Sequence, residues 1–326
     1  MTEHVLISDS KSTTVDHDLQ RDVLRRYDVT ASSAITRTED ALLSELGDAS
    51  GLIVDAGVPV SARVIEATPS LEVVGRAGIG VDNVDLEAAA DHSVTVVHNP
   101  TYSIDEVATH ALSLLLACVR RLPTYDRQTR GGGWDWSEGS PIGRLQGSTI
   151  GFLGFGKIPR RLATMVQGIG CELIAHDPYL PANAVRTHNV EPVAFDDLLA
   201  QVDLLSIHVP HTGETERMID ADALAAIADD AIIVNTARGP VVDTDALVSA
   251  LETGEIDFAG LDVVDPEPLP ADHALFDLEN AIVTPHVGWY SESSRLQLSE
   301  EIADDVGRVL VGETPHNEVS ADSEWV

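Results

Sequence analysis

Thr149-Ile150-Gly151-Phe152-Leu153-Gly154-Phe155-Gly156-Lys157-Ile158-Pro159-Arg160 is the stretch on which the reading of the fold turns. Thr149–Leu153 is a short apolar, β-rich run of the kind that forms a buried strand. Gly154 and Gly156 end it, and the helical pattern Arg160–Ile169 follows. In a strand–turn–helix, the first glycine permits the tight turn and the second lets a pyrophosphate approach the helix N-terminus. A glycine pair also occurs in α/β turns that bind nothing. Asp177 sharpens the reading, because it ends the next strand at 177 − 156 = 21 residues beyond the second glycine. An acid there accepts hydrogen bonds from adenosine ribose hydroxyls and repels a 2′-phosphate, so the expected cofactor is NAD. Pro159 stands where the third glycine of the fingerprint belongs. Proline is tolerated in a first helical turn, but the close helix–strand packing served by glycine must relax. Lys157 is the one hint toward the phosphorylated coenzyme, and a solvated lysine explains it better.

On both sides of this stretch, short β-rich runs alternate with helical patterns, the mark of parallel α/β architecture. Upstream, Val5–Ser8, Leu52–Val54, Leu71–Val74 and Val94–Val97 read as strands, with helices over Asp16–Arg26, Thr38–Leu46 and Leu86–His92. A long helix begins near Ile104, with Ser103 as N-cap and Glu106 completing a capping box. Its apolar body, Ala108–Val119, is expected to be buried against another domain or subunit. Residues 131–147 read as a loop whose Trp134 and Trp136 either cover a partner surface or pack locally, with local packing the expected role. Downstream strands are Glu172–His176, Leu204–Val209, Ile232–Asn235, Phe258–Val263 and Ala281–Thr284, and Gly168-Ile169-Gly170 reads as a C-cap turn. The last helix covers Ser293–Val311, with a polar tail after it. Two α/β units in series, with a boundary near residue 100, is the resulting organisation.

The chain has 326 residues, a length that suits two domains, and is 44% hydrophobic, enough for real cores. Its formal charge of −34 disfavours phosphate backbones and anionic membrane surfaces as partners. Lys11 and Lys157 are the only lysines. Abundant acid with almost no lysine points to a salt-rich cytosol, where screening removes the self-repulsion. Cys118 and Cys171 sit alone, the N-terminus carries no signal-peptide pattern and no apolar run is long enough to span a bilayer, so the expected location is the cytoplasm. No histidine pair at metal spacing has a third ligand, and no metal is expected.

Three further segments put polar residues at predicted strand ends, where open α/β sheets bind ligands. They are Asn235-Thr236-Ala237-Arg238-Gly239, Asp262-Val263-Val264-Asp265-Pro266-Glu267-Pro268 and Thr284-Pro285-His286-Val287-Gly288-Trp289. An arginine, an acid and a histidine suit the reduction of a 2-oxo acid. The guanidinium fork binds carboxylate and carbonyl oxygen, and imidazole donates the proton that becomes the product hydroxyl. Taken one at a time, each residue has a plain structural alternative. Trp289, three residues after His286, either walls an apolar substrate pocket or simply packs.

Together with Gly75-Arg76-Ala77-Gly78-Ile79-Gly80-Val81-Asp82-Asn83 and Asn99-Pro100…Ser103…Glu106-Val107-Ala108, these segments resemble the D-isomer-specific 2-hydroxyacid dehydrogenases over almost the whole chain. Asp177-Pro178-Tyr179-Leu180 and His286–Glu292 look most like the branch that contains the C-terminal-binding protein corepressors. The resemblance implies two Rossmann/flavodoxin-like parallel-sheet domains with the active site in a cleft between them. It assigns 1–100 plus 291–326 to substrate binding and 101–290 to NAD binding. It further implies Arg238 as the substrate-binding arginine, His286 as acid/base and Glu267 as its partner. Arg76, Gly78, Ile79 and Gly80 would hold the substrate carboxylate. Gly154, Phe155, Gly156, Lys157, Ile158, Asp177, His208, Val209, Pro210, Thr215, Thr236, Ala237, Arg238, Asp262 and His286 would meet the cofactor. The implied activity is NAD(H)-dependent interconversion of a 2-oxo acid and a D-2-hydroxy acid by hydride transfer, in a homodimer joined through the coenzyme domain. An NAD-sensing corepressor-like scaffold and 3-phosphoglycerate oxidation are the alternatives.

Overall fold

The computed structural model describes residues 3–11 and 13–320. Met1, Thr2 and residues 321–326, on which the readings of the N-terminus and the polar tail partly rest, lie outside the described residues. The chain divides into two compact units, Met1–Ser103 with Tyr290–Val326, and Ile104–Trp289.

The first unit is a five-stranded parallel sheet of β1 (His4–Asp9), β2 (Thr30–Ile35), β3 (Gly51–Val54), β4 (Val73–Arg76) and β5 (Thr95–His98). Its order is β2-β1-β3-β4-β5, the flavodoxin-like winding. The helices α1 (His17–Arg25), α2 (Glu39–Leu46) and α4 (Leu86–Asp91) start where Asp16, Thr38 and Asp85 accept a backbone N–H of the first turn. Between the last two lies α3 (Ala62–Glu66). The terminal helix Glu292–Leu310 opens on a reciprocal Ser291–Ser294 capping box and lays Ile302 and Val306 over Gly75 of β4.

The second unit is a seven-stranded parallel sheet of β6 (Thr149–Leu153), β7 (Glu172–His176), β8 (Glu191–Pro192), β9 (Leu204–Ile207), β10 (Ile232–Asn235), β11 (Phe258–Leu261) and β12 (Ala281–Val283). The order β12-β11-β10-β9-β6-β7-β8 is the doubly wound Rossmann arrangement, whose direction reverses between β6 and β9. Its helices are α5 (Ile104–Val119), α6 (Leu122–Arg130), α7 (Lys157–Val166), α8 (Ala182–Arg186), α9 (Phe195–Gln201), α10 (Ala221–Ala225) and α11 (Thr244–Thr253). β9, β10 and β11 are buried at every residue, as strands covered on both faces must be. Gly170 is left-handed after a short 3₁₀ turn, the expected C-cap.

Several sequence expectations need correction. β2 and β8 lie at sheet edges and carry no continuous apolar run, so pattern alone misses them. β4 starts at Val73, which pairs with Gly51 and Thr95, rather than at Leu71. Leu71 enters the core from the preceding turn, which is why it mimics a strand residue. The Ser103 capping box does not form, because the Ser103 hydroxyl is buried without a hydrogen-bond partner. The apolar face of α5 is covered inside its own unit by β10, β11 and α7, with Leu114 and Cys118 against Gly260, so its composition calls for no second subunit. Trp134 and Trp136 are not packed locally. They are 92% and 79% exposed.

Candidate active site

The glycine turn closes the carboxyl end of β6. Gly154 has φ +83°, and a Cβ there would lie 3.0 Å from the His208 carbonyl, so backbone conformation and the neighbouring segment both demand glycine. Gly156 differs: a Cβ on it would meet nothing within 4 Å. No protein contact requires that second glycine, which leaves free space above an α7 N-terminus that has no side-chain cap. Pro159 is the third residue of α7 and buried, where its missing N–H costs no helix bond. Arg160 Nε donates to the Phe155 carbonyl at 2.9 Å and fastens the turn from the helix side. Asp177 follows β7, with Oδ2 accepting the Phe155 N–H at 2.9 Å and Oδ1 the Tyr179 N–H at 3.0 Å.

The segment after β9 lies on the other side of the turn. His208 bonds Ser206 Oγ through Nε2 at 2.7 Å, and desolvation lowers its pKa to about 3. Val209 packs toward Gly154, and Thr215 Oγ1 donates to the Pro210 carbonyl at 2.6 Å. Past β10, the buried Thr236 hydroxyl has no partner, an orphaned polar atom at a sheet edge where ligands bind. Asn235 organises this loop, taking the Ala237 N–H at 3.0 Å and donating to the Arg238 carbonyl at 2.9 Å. Free space over an uncapped helix, an acid at the end of β7 and an orphan hydroxyl after β10 fit a dinucleotide.

His286 and Glu267 come together. Nδ1 of His286 is 2.9 Å from Oε2 of Glu267, with the two side chains 35% and 40% exposed. With Nδ1 occupied, Nε2 is the nitrogen left to exchange a proton. His286 is itself in the left-handed region at φ +54°. Asp262 holds that turn: its carboxylate accepts the N–H groups of Val287 at 2.9 Å and Gly288 at 2.8 Å, and the Thr284 hydroxyl at 2.6 Å. His110 on α5 reaches the same cluster, 3.0 Å from Thr284 Oγ1 and 3.3 Å from Asp262. Burial alone would raise the Asp262 pKa, but these hydrogen bonds overcome it and hold the carboxyl below its usual range. The Arg238 side chain is partly buried and donates to the Ala237 carbonyl at 2.7 Å, and Trp289 is partly buried.

In the first unit, Arg76 ends β4, with Nε toward Asn83 at 3.3 Å and Nη1 on the Ala77 carbonyl at 3.1 Å. Gly78 has φ +145°, and any Cβ would fall 1.5 Å from Arg76 Nη1. His98 and the Asn99 N–H hold the carbonyls of Ile79 and Gly78. Two acids share this sheet edge, Asp9 ending β1 and Asp55 following β3. Burial opposes ionisation of Asp9, but the His17 ring 3.4 Å away and the N–H groups of Lys11, Thr14 and Val15 hold it far below the usual carboxylate range. Asp55 is pushed up, first by burial and then by the Asp9 charge, against hydrogen bonds from Ser10. Asp304, Asp305 and His316 also cluster, with their carboxylates engaged by Tyr27, Arg308, Asn317 and the His316 N–H.

A doubly wound sheet with a glycine turn at its switch point and an imidazole–carboxylate pair at its strand ends defines a dinucleotide-binding α/β unit. The family model for the D-isomer specific 2-hydroxyacid dehydrogenase, NAD binding domain, matches residues 112–288, and the chain belongs to this family. It is 40% identical over 282 residues to D-3-phosphoglycerate dehydrogenase of Mycobacterium leprae, covering 86% of this chain and 53% of that protein. The corresponding protein of Methanocaldococcus jannaschii is 37% identical over 284 residues, covering 87% of this chain and 54% of that one. The chain thus spans about half the length of the curated relatives it matches. A solved structure from Thermus thermophilus superposes with TM-score 0.86 at 33% identity, covering 97% of this chain and 99% of that one. D-lactate dehydrogenase from Aquifex aeolicus, complexed with NAD and lactic acid, gives 0.88 at 26% identity over 98% of this chain and 100% of that one. NAD is the cofactor.

Proposed function

We propose that the chain interconverts a small 2-oxo acid and its D-2-hydroxy acid, with His286 as acid/base. The observation that carries this reading is the 2.9 Å contact of His286 Nδ1 with Glu267, which orients the ring and presents Nε2. Bound NAD(H) supplies or accepts the hydride. In the reducing direction the Arg238 guanidinium stabilises the developing oxyanion and His286 Nε2 protonates it, while Glu267 fixes the ring. Arg76 and the Gly78-Ile79-Gly80 backbone hold the substrate carboxylate. Consistent with that role, the N–H groups of these three residues donate to no acceptor among the described residues. Trp289 is the proposed side-chain wall. In the cofactor site, Asp177 takes the ribose hydroxyls, and Gly154–Ile158 the pyrophosphate. The segments around His208–Thr215, Thr236–Ala237 and Asp262 line the remainder.

Oxidation of 3-phosphoglycerate is the second reading, favoured by the names of the curated relatives. Against it, the chain offers only 20 Lys+Arg beside 54 Asp+Glu, a poor supply of the basic residues a phosphorylated substrate would need. A homodimer, supported by the exposed Trp134 and Trp136, and work in a salt-rich cytoplasm complete the proposal.

The test is NADH oxidation in molar KCl against glyoxylate, hydroxypyruvate, phosphohydroxypyruvate and branched or thioether 2-oxo acids. Turnover on an unphosphorylated acid that falls by about 10²–10⁴ in His286→Ala supports the proposal. Preference for phosphohydroxypyruvate would establish the second reading. Tight NADH binding with no turnover on any acid would leave a coenzyme-sensing scaffold and end the enzymatic one.

A further inference from the structure

β7 and β9 flank β6 in the parallel sheet, so the segments leaving their carboxyl ends rise on either side of the Gly154–Gly156 turn. A side-chain bond joins these two segments. Tyr179, two residues past Asp177, donates its phenol hydroxyl to Oε2 of Glu214 at 2.6 Å. Glu214 belongs to the segment after β9, where its N–H donates to Thr212 Oγ1 at 3.3 Å. A link between segments on opposite sides of β6 has to pass over the end of β6, where the dinucleotide lies. The phenol is 79% exposed, so the bond adds little to the core. What it does is fix where the Glu214 charge stands. The Glu214 hydrogen bond and charge raise the phenol pKa, and the charge of Asp177 adds to them, so both acids act on one small region.

We propose that Glu214, held by Tyr179, is a second coenzyme-specificity residue that acts with Asp177 to surround the adenosine ribose with negative charge and exclude a 2′-phosphate. Both oxygens of Asp177 already accept a backbone N–H, which spreads its charge into the turn. Glu214 has one oxygen on the phenol, while Oε1 has no partner among the described residues. A 2′-phosphate would bring roughly −1.5 to −2 charges against this second carboxylate as well as the first. The inference rests on the coenzyme site assigned to the β6 turn and Asp177.

The experiment is calorimetric titration of NADH and NADPH into the wild-type chain and into Glu214→Gln, Tyr179→Phe and Asp177→Asn. Glu214→Gln is expected to raise the affinity for NADPH relative to NADH by about three- to tenfold, the worth of one charge near a surface. Tyr179→Phe, which frees the acid from its tether, should raise it by less. An unchanged NADPH/NADH ratio in Glu214→Gln beside a changed one in Asp177→Asn would overturn the proposal and leave the site standing. Equal weakening of both coenzymes in Glu214→Gln would reduce the pair to a structural clasp and overturn it too. Absence of NADH binding to the wild-type chain would overturn the site reading, and this inference with it.

Discussion

Asp262 holds His286 in place through the backbone on both sides of it. The Asp262 carbonyl accepts the His286 N–H at 2.9 Å, and its carboxylate takes the N–H groups of the two residues that follow. His286 needs that support, since a non-glycine residue at φ +54° is held there only by its surroundings.

Asp262→Asn should therefore unfold the turn that carries His286. An amide cannot replace a carboxylate that accepts several donors, and a buried N–H left unpaired costs about 1–3 kcal/mol. Urea unfolding should show a loss of that order. The same carboxyl contributes to acid sensitivity. Its folded pKa lies below the ordinary 3.8, so its stabilisation is complete above that value and is lost as pH falls through the depressed one.

The two glycines of the turn should separate folding from binding. Gly154→Ala forces a side chain into a positive-φ position against the His208 backbone and should destabilise the unit by more than about 1 kcal/mol in thermal melts. Gly156→Ala places a methyl in open space, so its melt should match wild type while NADH affinity falls in the same titration. Equal melting losses in both variants would contradict the assignment.

His208 should make stability depend on pH below neutrality. Its folded pKa is depressed to about 3 from 6.5, so the unfolded chain binds the extra proton first. The neutral ring's contribution is complete above pH 6.5 and is lost as pH falls from there toward 3. The residue keeps some solvent contact, so the slope should stay under the roughly 1.4 kcal/mol per pH unit of a single proton. His208→Gln should flatten that part of the stability–pH curve, and an unaltered curve would show that the ring is hydrated.

Arg238→Lys should lower kcat/KM by on the order of 10²-fold, because a point charge cannot reproduce a fork and a misplaced group costs about that much. Steady-state kinetics on the best 2-oxo acid would check it, with the NADH Kd as control. A variant that turns over like wild type would remove Arg238 from substrate binding.

The sequence by itself determined the alternation of strands and helices, the β6–turn–α7 unit and the polar residues at strand ends. Those features are local: periodicity, glycine punctuation and a spacing of 21 residues can be read along the chain. Tertiary structure decided what depends on neighbours distant in sequence. The strand order, and so the switch point between β6 and β9, is written in no single segment. The edge strands β2 and β8 exist because a neighbouring strand pairs with them, despite weak patterns of their own. The apolar body of α5 looked the same whether a foreign surface or its own sheet covered it, and only the packing distinguishes them. The same holds for His286: its left-handed backbone, its bond to Glu267 nineteen residues back and its support by Asp262 arise where separate strand ends meet.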